Sequence, residues 1–267
     1  MPCLFEVQFN TVVVLDMLFC GKENDVKIIH VSGYEEMSEK SADLMTELIN
    51  NSKNPVIGFA TGSTPLGLYK CLIKKYRQKE ISFKNVTAFN LDEYVGLAKE
   101  NKNSYHYYMN EILFKHLDIR QRNINIPNGM AEDLEQECIS YDRLVSEKAI
   151  DIQILGMGLN GHIGFNEPGT SFKSRTHIVD LDKSTRQANS RFFRSLDEVP
   201  TKALTMGIET IMESKRILLL VSGNEKSEAL ARLLNSTRVS QEFPASILRK
   251  HNDVIVMADD AALNKIQ

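Results

Sequence analysis

The sequence predicts an α/β fold in which helices cover both faces of a mainly parallel β-sheet. From Lys27 onward, short runs rich in β-branched and aromatic residues alternate with segments whose apolar residues recur every three or four positions. Strands that alternate with helices favour a parallel sheet, because each helix carries the chain back to the start of the next strand. No repeat, low-complexity tract or linker divides residues 27–267, so a single domain is predicted there.

The individual elements follow from these apolar patterns. Thr64 is predicted to cap the second helix, with Pro65 at its first helical position. Apolar runs predict strands, and three-to-four periodicity predicts helices. The predicted strands are residues 27–31, 56–61, 86–91, 152–158, 216–223 and 254–259, and the predicted helices are residues 35–49, 65–76, 131–148, 200–213 and 225–234.

Composition excludes several classes of function. The formal net charge of the 267 residues is −3, so no overall positive field favours a nucleic-acid partner. The four cysteines are scattered, without a C-x-x-C pair, which argues against a structural zinc site or a disulfide framework. Free thiols are typical of a reducing compartment, so a cytoplasmic protein is expected.

The first 26 residues are apolar but do not resemble a targeting segment. Glu6 and Asp16 interrupt the apolar run, and no basic residue precedes it. A secretory signal has a basic start and a cleaner apolar stretch, and a membrane span is longer and less charged. We therefore interpret residues 1–26 as an N-terminal extension of unknown role and expect no membrane association.

Polar residues follow several predicted strands, where ligands bind in sheets of this type. In "ATGSTP", Gly62 allows a close approach of the backbone, and Ser63, Thr64 and the amides of the next helix offer hydrogen bonds to an anion. An ordinary strand-to-helix turn is the equally simple alternative. No lysine follows the glycine, so this is not a Walker sequence. Lys226 opens another helix, where a cation opposes the helix dipole and a nearby anion would explain it.

Two further motifs carry groups suited to proton transfer. Asp92, in "FNLDEYVG", ends a strand and is a candidate general base, with a helix cap or surface carboxylate as the alternative. His162 and Glu167 share the loop "GLNGHIGFNEPG", where a carboxylate can orient and tune an imidazole. A structural histidine, hydrogen-bonded within its loop, is the alternative here.

The same loop begins with G-x-G-x-x-G, the fingerprint of a dinucleotide-binding turn. In that motif the third glycine opens a helix that directs its N-terminus at the pyrophosphate. Here Gly164, Pro168 and Gly169 follow within a few residues and leave no room for such a helix. The sequence therefore argues against a nicotinamide or flavin cofactor, and none is expected.

Taken in order, the motifs resemble those of the glucosamine-6-phosphate deaminase (glucosamine-6-phosphate isomerase) family. The resemblance covers the chain from about Lys27 onward and rests on seven strings: "ATGSTPLGLYK", "FNLDEYVGL", "SYHYYM", "ILGMGLNGHIGFNEPG", "ANSRFF", "VPTKALTMGIETI" and "SGNEKSEAL". It implies a Rossmann-like three-layer α/β sandwich and conversion of glucosamine 6-phosphate and water to fructose 6-phosphate and ammonia. It also implies that neither metal nor organic cofactor is used.

The resemblance also implies roles for individual residues. Asp92 would move a proton between carbon 2 and carbon 1, His162 would protonate the ring oxygen, and Glu167 would orient that histidine. The substrate phosphate would bind the loop formed by residues 62–64, with its charge neutralised by Arg191 and Lys226.

Two departures from the family's better-known members bear on these expectations. Asn160 replaces an aspartate two residues before the histidine, so we expect it to support the imidazole by a hydrogen bond without adding negative charge. His177 and Val179 replace basic residues that bind an activating N-acetylated sugar phosphate. We therefore expect a non-allosteric enzyme that is a monomer or small homo-oligomer.

Three other functions remain as alternatives. A phosphogluconolactonase or pentose-phosphate isomerase would share the fold, but the intact "DEY" and "GHIGFNEP" strings argue against both. A sugar-phosphate sensor would carry a DNA-binding module, and no basic module is evident. A cofactor-dependent oxidoreductase would need the nucleotide turn argued against above.

Overall fold

The computed structural model describes residues 3–9, 12–18, 26–181, 185–187, 190 and 193–266. Its main sheet contains nine strands within those residues. In order across the sheet these are Cys3–Phe9 (β1), Val12–Leu18 (β2), Lys27–Val31 (β3), Val254–Asp259 (β12), Ile217–Val221 (β11), Ile152–Leu155 (β8), Val56–Phe59 (β4), Thr87–Asn90 (β5) and Ile124–Asn125 (β7).

Seven of these strands run parallel to one another and are adjacent in the sheet, in the order β3, β12, β11, β8, β4, β5 and β7. From β4 the chain proceeds outward to β5 and β7, and then returns to the other side of β4 to form β8, β11 and β12. The strand order therefore reverses between β4 and β8. Ligands of open parallel sheets bind beyond the carboxyl ends of the strands at such a reversal, so the site is expected there.

Helices cover both faces of the parallel sheet. They are Tyr34–Asn51 (α1), Leu66–Arg77 (α2), Tyr105–Ile112 (α3), Leu134–Lys148 (α4), Ile208–Met212 (α5), Ser227–Asn235 (α6) and Asp260–Leu263 (α7).

The packing of aromatic rings identifies the two faces. Phe59 of β4 packs on Tyr69 of α2, while Phe89 of β5 packs on Tyr141 of α4. Phe59 pairs in register with Asn90, the residue after Phe89, so the two phenylalanines point to opposite faces. This arrangement confirms the predicted α/β fold.

A second, antiparallel sheet corrects one helix prediction. Residues 200–213 were predicted to be helical, but Lys202–Thr205 form a strand (β10) between Asp92–Tyr94 (β6) and His177–Asp180 (β9). The prediction was wrong there because pairing on both sides outweighs local helical periodicity. Gly207 then passes so close to the carbonyl oxygens of residues 174 and 175 that an added Cβ would lie 2.1 Å from each. Only α5 remains helical.

The start of α2 also differs from the prediction. The helix begins at Leu66, Pro65 occupies the N-cap position, and no side chain caps the helix. Thr64 is therefore part of the preceding turn rather than the cap. Because the expected hydroxyl cap is missing, polar groups of this turn remain available to a ligand.

The N-terminal extension forms two strands, although no element was predicted there. β1 pairs antiparallel with β2, and β2 pairs antiparallel with β3, so the hairpin covers that edge of the parallel sheet. The division into an extension and one domain stays a prediction. No helix among the described residues combines the length and apolar character that a bilayer crossing requires.

Candidate active site

The candidate site lies where β4, β5, β8 and β11 end. The segment after β4 supplies Gly62, Ser63 and Thr64, which we call the phosphate loop after its expected role. Asp92 follows β5, residues 156–167 follow β8, and Lys226 follows β11. Because these strands are parallel neighbours, their carboxyl ends meet at one edge of the sheet.

Asp92 is the first residue of β6 and is almost completely buried, with 6% of its surface exposed. Burial, and secondarily the adjacent Glu93, raises the pKa of Asp92 from 3.8 to about 8. Its Oδ1 atom has no hydrogen-bond partner among the described residues. A buried carboxyl whose ionised form is poorly solvated accepts a proton readily, which suits a general base.

Glu93 is 2% exposed but, unlike its neighbour, is well supplied with hydrogen-bond donors. Its Oε1 accepts the backbone N–H groups of Tyr94 and Tyr105, each at 2.8 Å, and its Oε2 accepts that of His106 at 2.8 Å. Burial raises the pKa of Glu93 to about 7 although these three bonds lower it. Two adjacent buried carboxyl groups therefore titrate near neutral pH.

His162 and Glu167 meet within the loop after β8, as predicted. Nδ1 of His162 lies 3.3 Å from Oε1 of Glu167, in ionic contact but outside hydrogen-bonding orientation. Partial burial raises the pKa of Glu167, yet the contact with His162 and hydrogen bonds from Asn160 and Thr185 outweigh it, so the pKa lies below its usual value. Glu167 thus stays ionised beside the imidazole.

Asn160 supports this pair differently from the expected arrangement. Its Nδ2 donates to Oε2 of Glu167 at 2.6 Å, and its Oδ1 accepts the backbone N–H of His162 at 3.1 Å. Asn160 therefore holds the carboxylate and the backbone of the histidine rather than the imidazole ring. An amide suits this position because it can donate to the carboxylate, which an ionised aspartate cannot do.

The glycines of this loop allow the imidazole to pack closely against the backbone. A Cβ on Gly158 would lie 2.3–2.5 Å from three ring atoms of His162, so only glycine lets the ring pack there. Gly161 has a φ of +85°, and a Cβ there would meet the Phe243 ring at 2.2 Å. Residues 161–176, all described, form turns and one isolated bridge, as the argument against a nucleotide turn requires.

Thr205 connects Asp92 to the loop after β8, which carries His162. It pairs in register with Asp92, and its Oγ1 accepts the backbone N–H of Phe165 at 3.2 Å. Asn166 of the same loop is fully buried and donates to the carbonyls of Ile163 and Met206, each at 2.9 Å. The small sheet therefore sets the position of Asp92 relative to His162.

Two tyrosines contact the phosphate loop. Tyr108 donates its hydroxyl to the carbonyl of Gly62 at 2.7 Å, and Tyr34 donates to that of Ser63 at 3.1 Å. The backbone N–H groups of Ser63 and Thr64 have no partner among the described residues. The tyrosine hydroxyls hold the carbonyl groups of the loop and thereby orient its peptide units. Backbone amides that lack a partner in this way are suited to binding an anion.

Of the two expected cations, one can be assessed. Lys226 donates from Nζ to the carbonyl of Met157 at 3.0 Å, which places its ammonium group at the start of the loop that carries His162. Desolvation lowers the pKa of Lys226 although Glu225 opposes this, and no described carboxylate lies within 4.0 Å of its Nζ. Arg191 lies outside the described residues.

Sequence reasoning missed several supporting residues. Glu93 was visible only as the second acid of "DEY", and Thr185, which donates to Oε1 of Glu167 at 3.0 Å, carries no local signal. Tyr105 and Tyr108 lie in "SYHYYM", a string recognised without a role. Their spacing of three would have placed both on one face of a helix directed at the site.

No group of three His, Cys, Asp or Glu side chains within the described part of the chain is arranged to hold a metal.

Comparison with known proteins identifies the family. Residues 32–257 match the profile described as glucosamine-6-phosphate isomerases/6-phosphogluconolactonase. Glucosamine-6-phosphate deaminase of Oceanobacillus iheyensis is 60% identical over 242 residues, covering 90% of this chain and 96% of its own. Glucosamine-6-phosphate deaminase 1 of Bacillus subtilis is 52% identical over 238 residues, covering 89% and 98% respectively.

Solved structures agree with this similarity. A monomeric glucosamine-6-phosphate deaminase superposes with a TM-score of 0.86 at 52% identity, covering 89% of this chain and 98% of that one. A 6-phosphogluconolactonase from Thermotoga maritima, 22% identical, superposes with a TM-score of 0.69 over 87% of this chain and 99% of its own, and shares the fold alone. The profile match and the high identities show that this chain belongs to the family of glucosamine-6-phosphate isomerases and 6-phosphogluconolactonases.

Proposed function

We propose that this chain converts glucosamine 6-phosphate and water to fructose 6-phosphate and ammonia in amino-sugar catabolism. The observation that carries the proposal is Asp92, a buried carboxyl with an unpartnered Oδ1 and a raised pKa at the point where the strand order reverses. The relatives named glucosamine-6-phosphate deaminase support the same reaction.

Asp92 is the base that moves hydrogen between adjacent carbons. In the open-chain sugar its carboxylate removes the proton from carbon 2 while the oxygen of carbon 1 takes up a proton from water, which gives an enolamine. Asp92 then returns its proton to carbon 1, and the nitrogen gives up one proton to water. The product of this step is an imine at carbon 2. Water adds to the imine carbon and the carbon–nitrogen bond breaks, which releases ammonia and leaves the ketone. One carboxylate serves both transfers because the two carbons are neighbours.

His162 opens the sugar ring, with Glu167 and Asn160 as its supports. A protonated imidazole gives its proton to the ring oxygen while the hydroxyl of carbon 1 loses one, and the bond between carbon 1 and the ring oxygen breaks. The ionised Glu167, 3.3 Å from Nδ1, stabilises the imidazolium before the transfer. Asn160 keeps Glu167 and the histidine backbone in place.

The phosphate of the substrate binds the phosphate loop, with Lys226 and Arg191 neutralising its charge. The free amides of Ser63 and Thr64 and the absence of a described carboxylate beside Lys226 support this assignment. Because the phosphate is remote from carbons 1 and 2, its binding energy can hold the open chain in register with Asp92. No metal or organic cofactor takes part in any step proposed above.

The enzyme acts as a cytoplasmic monomer without allosteric activation. The monomeric deaminase structure, 52% identical, supports the monomer, and the scattered thiols support the reducing compartment. Nδ1 of His177 donates to the carbonyl of Arg175 at 2.8 Å, so this imidazole already has a partner within the protein. Sedimentation of the full chain at several concentrations tests the oligomeric state directly.

A coupled assay tests the reaction. Ammonia and fructose 6-phosphate are measured together from glucosamine 6-phosphate, and the same preparation is offered 6-phosphogluconolactone. Equal amounts of ammonia and fructose 6-phosphate, with no lactone hydrolysis above the uncatalysed rate, are expected. Lactone hydrolysis without ammonia release would overturn the proposal in favour of the other activity of the family.

A further inference from the structure

Glu93 adjoins the proposed base, yet no step of the reaction uses it. Successive residues of a strand point to opposite sides, so its carboxylate faces away from that of Asp92. It accepts three backbone N–H groups at 2.8 Å and is 2% exposed. A buried carboxylate held by three donors occupies one position only, which is a requirement for a positioning group.

Two of those donors, Tyr105 and His106, are the first two residues of α3. The carboxylate therefore binds the N-terminus of the helix, where backbone amides lack partners and the helix dipole favours a negative charge. Ser104 completes the cap by accepting the N–H of Tyr107 at 3.0 Å. Glu93 thus fixes the start of α3 to the strand that carries Asp92.

The helix α3 also contacts the phosphate loop. Tyr108, one turn along the helix, donates its hydroxyl to the carbonyl of Gly62 at 2.7 Å. A continuous path therefore runs from Asp92 through the backbone to Glu93, on to α3, and through Tyr108 to the phosphate loop. Its two ends are the groups that hold the reacting carbons and the phosphate of a single substrate molecule.

We propose that Glu93 is a positioning residue: it sets the separation between Asp92 and the phosphate loop through α3, and its negative charge makes Asp92 a stronger base. This inference rests on the role proposed for Asp92. The charge acts through the short backbone link, and the tether acts through the two amide bonds to α3. The two effects can be separated because one depends on charge and the other on side-chain length.

Other titratable groups near Asp92 do not replace this charge. Burial, and to a smaller extent the charge of Asp92, holds the phenol pKa values of Tyr69 of α2, Tyr105 of α3 and Tyr141 of α4 well above the usual range and keeps these side chains neutral. The partner strand contributes Thr205, which does not ionise. Burial also lowers the pKa of the His106 imidazole, so it adds no positive charge near neutral pH.

Glu93→Gln tests the charge and Glu93→Asp tests the tether. Glutamine has the same length, but it is uncharged and turns an NH₂ group toward one of the amides. We expect the acid limb of kcat/KM to move to lower pH, because the pKa of Asp92 falls when the neighbouring charge is lost. Aspartate keeps the charge but is too short for both amides of α3. It should leave the limb in place and raise KM by about 10- to 100-fold, which is the range for a lost bond to a charged group.

Ser104→Ala is the matched control, since it removes another cap bond of α3 without altering charge near Asp92. It should lower the melting temperature and leave the acid limb unmoved. An acid limb unchanged in Glu93→Gln together with a normal KM in Glu93→Asp, both variants being folded by circular dichroism, would overturn the inference. The wild-type protein serves as the separate test of the reaction, because failure to release ammonia there would refute the proposed function instead.

Discussion

The burial of Asp92 predicts that Asp92→Asn makes the protein more stable while it slows the reaction. The folded protein raises the pKa of this carboxyl from 3.8 to about 8, so it holds the proton more tightly than the unfolded chain does. A carboxyl whose pKa is higher in the folded than in the unfolded protein lowers the free energy of unfolding as the pH rises between the two pKa values. Asparagine has no charge to desolvate, and Oδ1 has no hydrogen bond to lose among the described residues.

The magnitude follows from the size of the pKa change. At about 1.4 kcal/mol for each pKa unit, the ionised Asp92 costs the folded protein roughly 6 kcal/mol above pH 8. Part of this comes from repulsion by Glu93, whose own ionisation becomes easier once Asp92 is neutral, so the direction of the effect is the same for the pair. We expect an advantage of at least about 2 kcal/mol for the variant at pH 9, and little at pH 4.

Urea denaturation at pH 4, 7 and 9 measures this difference, because pH effects of all other groups cancel between the two proteins. Asp142→Asn is the control of opposite sign. Hydrogen bonds from Thr210 and Arg175 outweigh burial and lower the pKa of Asp142, so its ionised form stabilises the fold and the variant should be less stable at pH 7. A free energy of unfolding for Asp92→Asn that equals the wild-type value at every pH would refute the reasoning about burial.

Three further predictions concern the loops of the site. Asn160→Asp should place a second carboxylate against Glu167, and the added negative charge in this loop should move the alkaline limb of kcat/KM to higher pH; an unmoved limb would contradict the contact seen at Asn160. Gly158→Ala should push the imidazole aside and lower kcat by roughly 100-fold. Gly156→Ala, whose Cβ meets nothing within 4 Å, should retain activity, and equal kcat values would refute the packing argument. Tyr108→Phe should raise KM by about 5- to 10-fold with kcat little changed, since one hydrogen bond to the phosphate loop is lost; steady-state kinetics with an unchanged KM would contradict that link.

The central sheet could be predicted from sequence because its strands are buried on both faces. Residues 56–61 and 254–259, for example, are continuous apolar runs bounded by polar turns, and they contain β4 and β12. The small sheet could not be predicted in this way. Its strands have only three or four residues each, and "KALT" forms a strand only because β6 and β9 lie on either side. Long-range pairing of this kind leaves no local pattern.

In the candidate site, too, some residues could be predicted from local sequence and others depend on long-range contacts. Asp92, His162 and Glu167 could be proposed from residue type and from their position after apolar runs. The partners of Asn160 could not, since whether an amide meets the ring or the carboxylate depends on how the loop turns at Gly161. The contacts of Glu93 with α3 join residues more than ten positions apart, and no spacing rule connects them.

The production of ammonia and fructose 6-phosphate by the wild-type protein and by Asp92→Asn is the most direct test of the account. The wild-type enzyme should form both products in equal amounts from glucosamine 6-phosphate. The folded variant should be slower by about 100- to 10,000-fold, the usual contribution of a general base. Wild-type rates in the folded variant would contradict the assignment of Asp92 as the group that moves the proton.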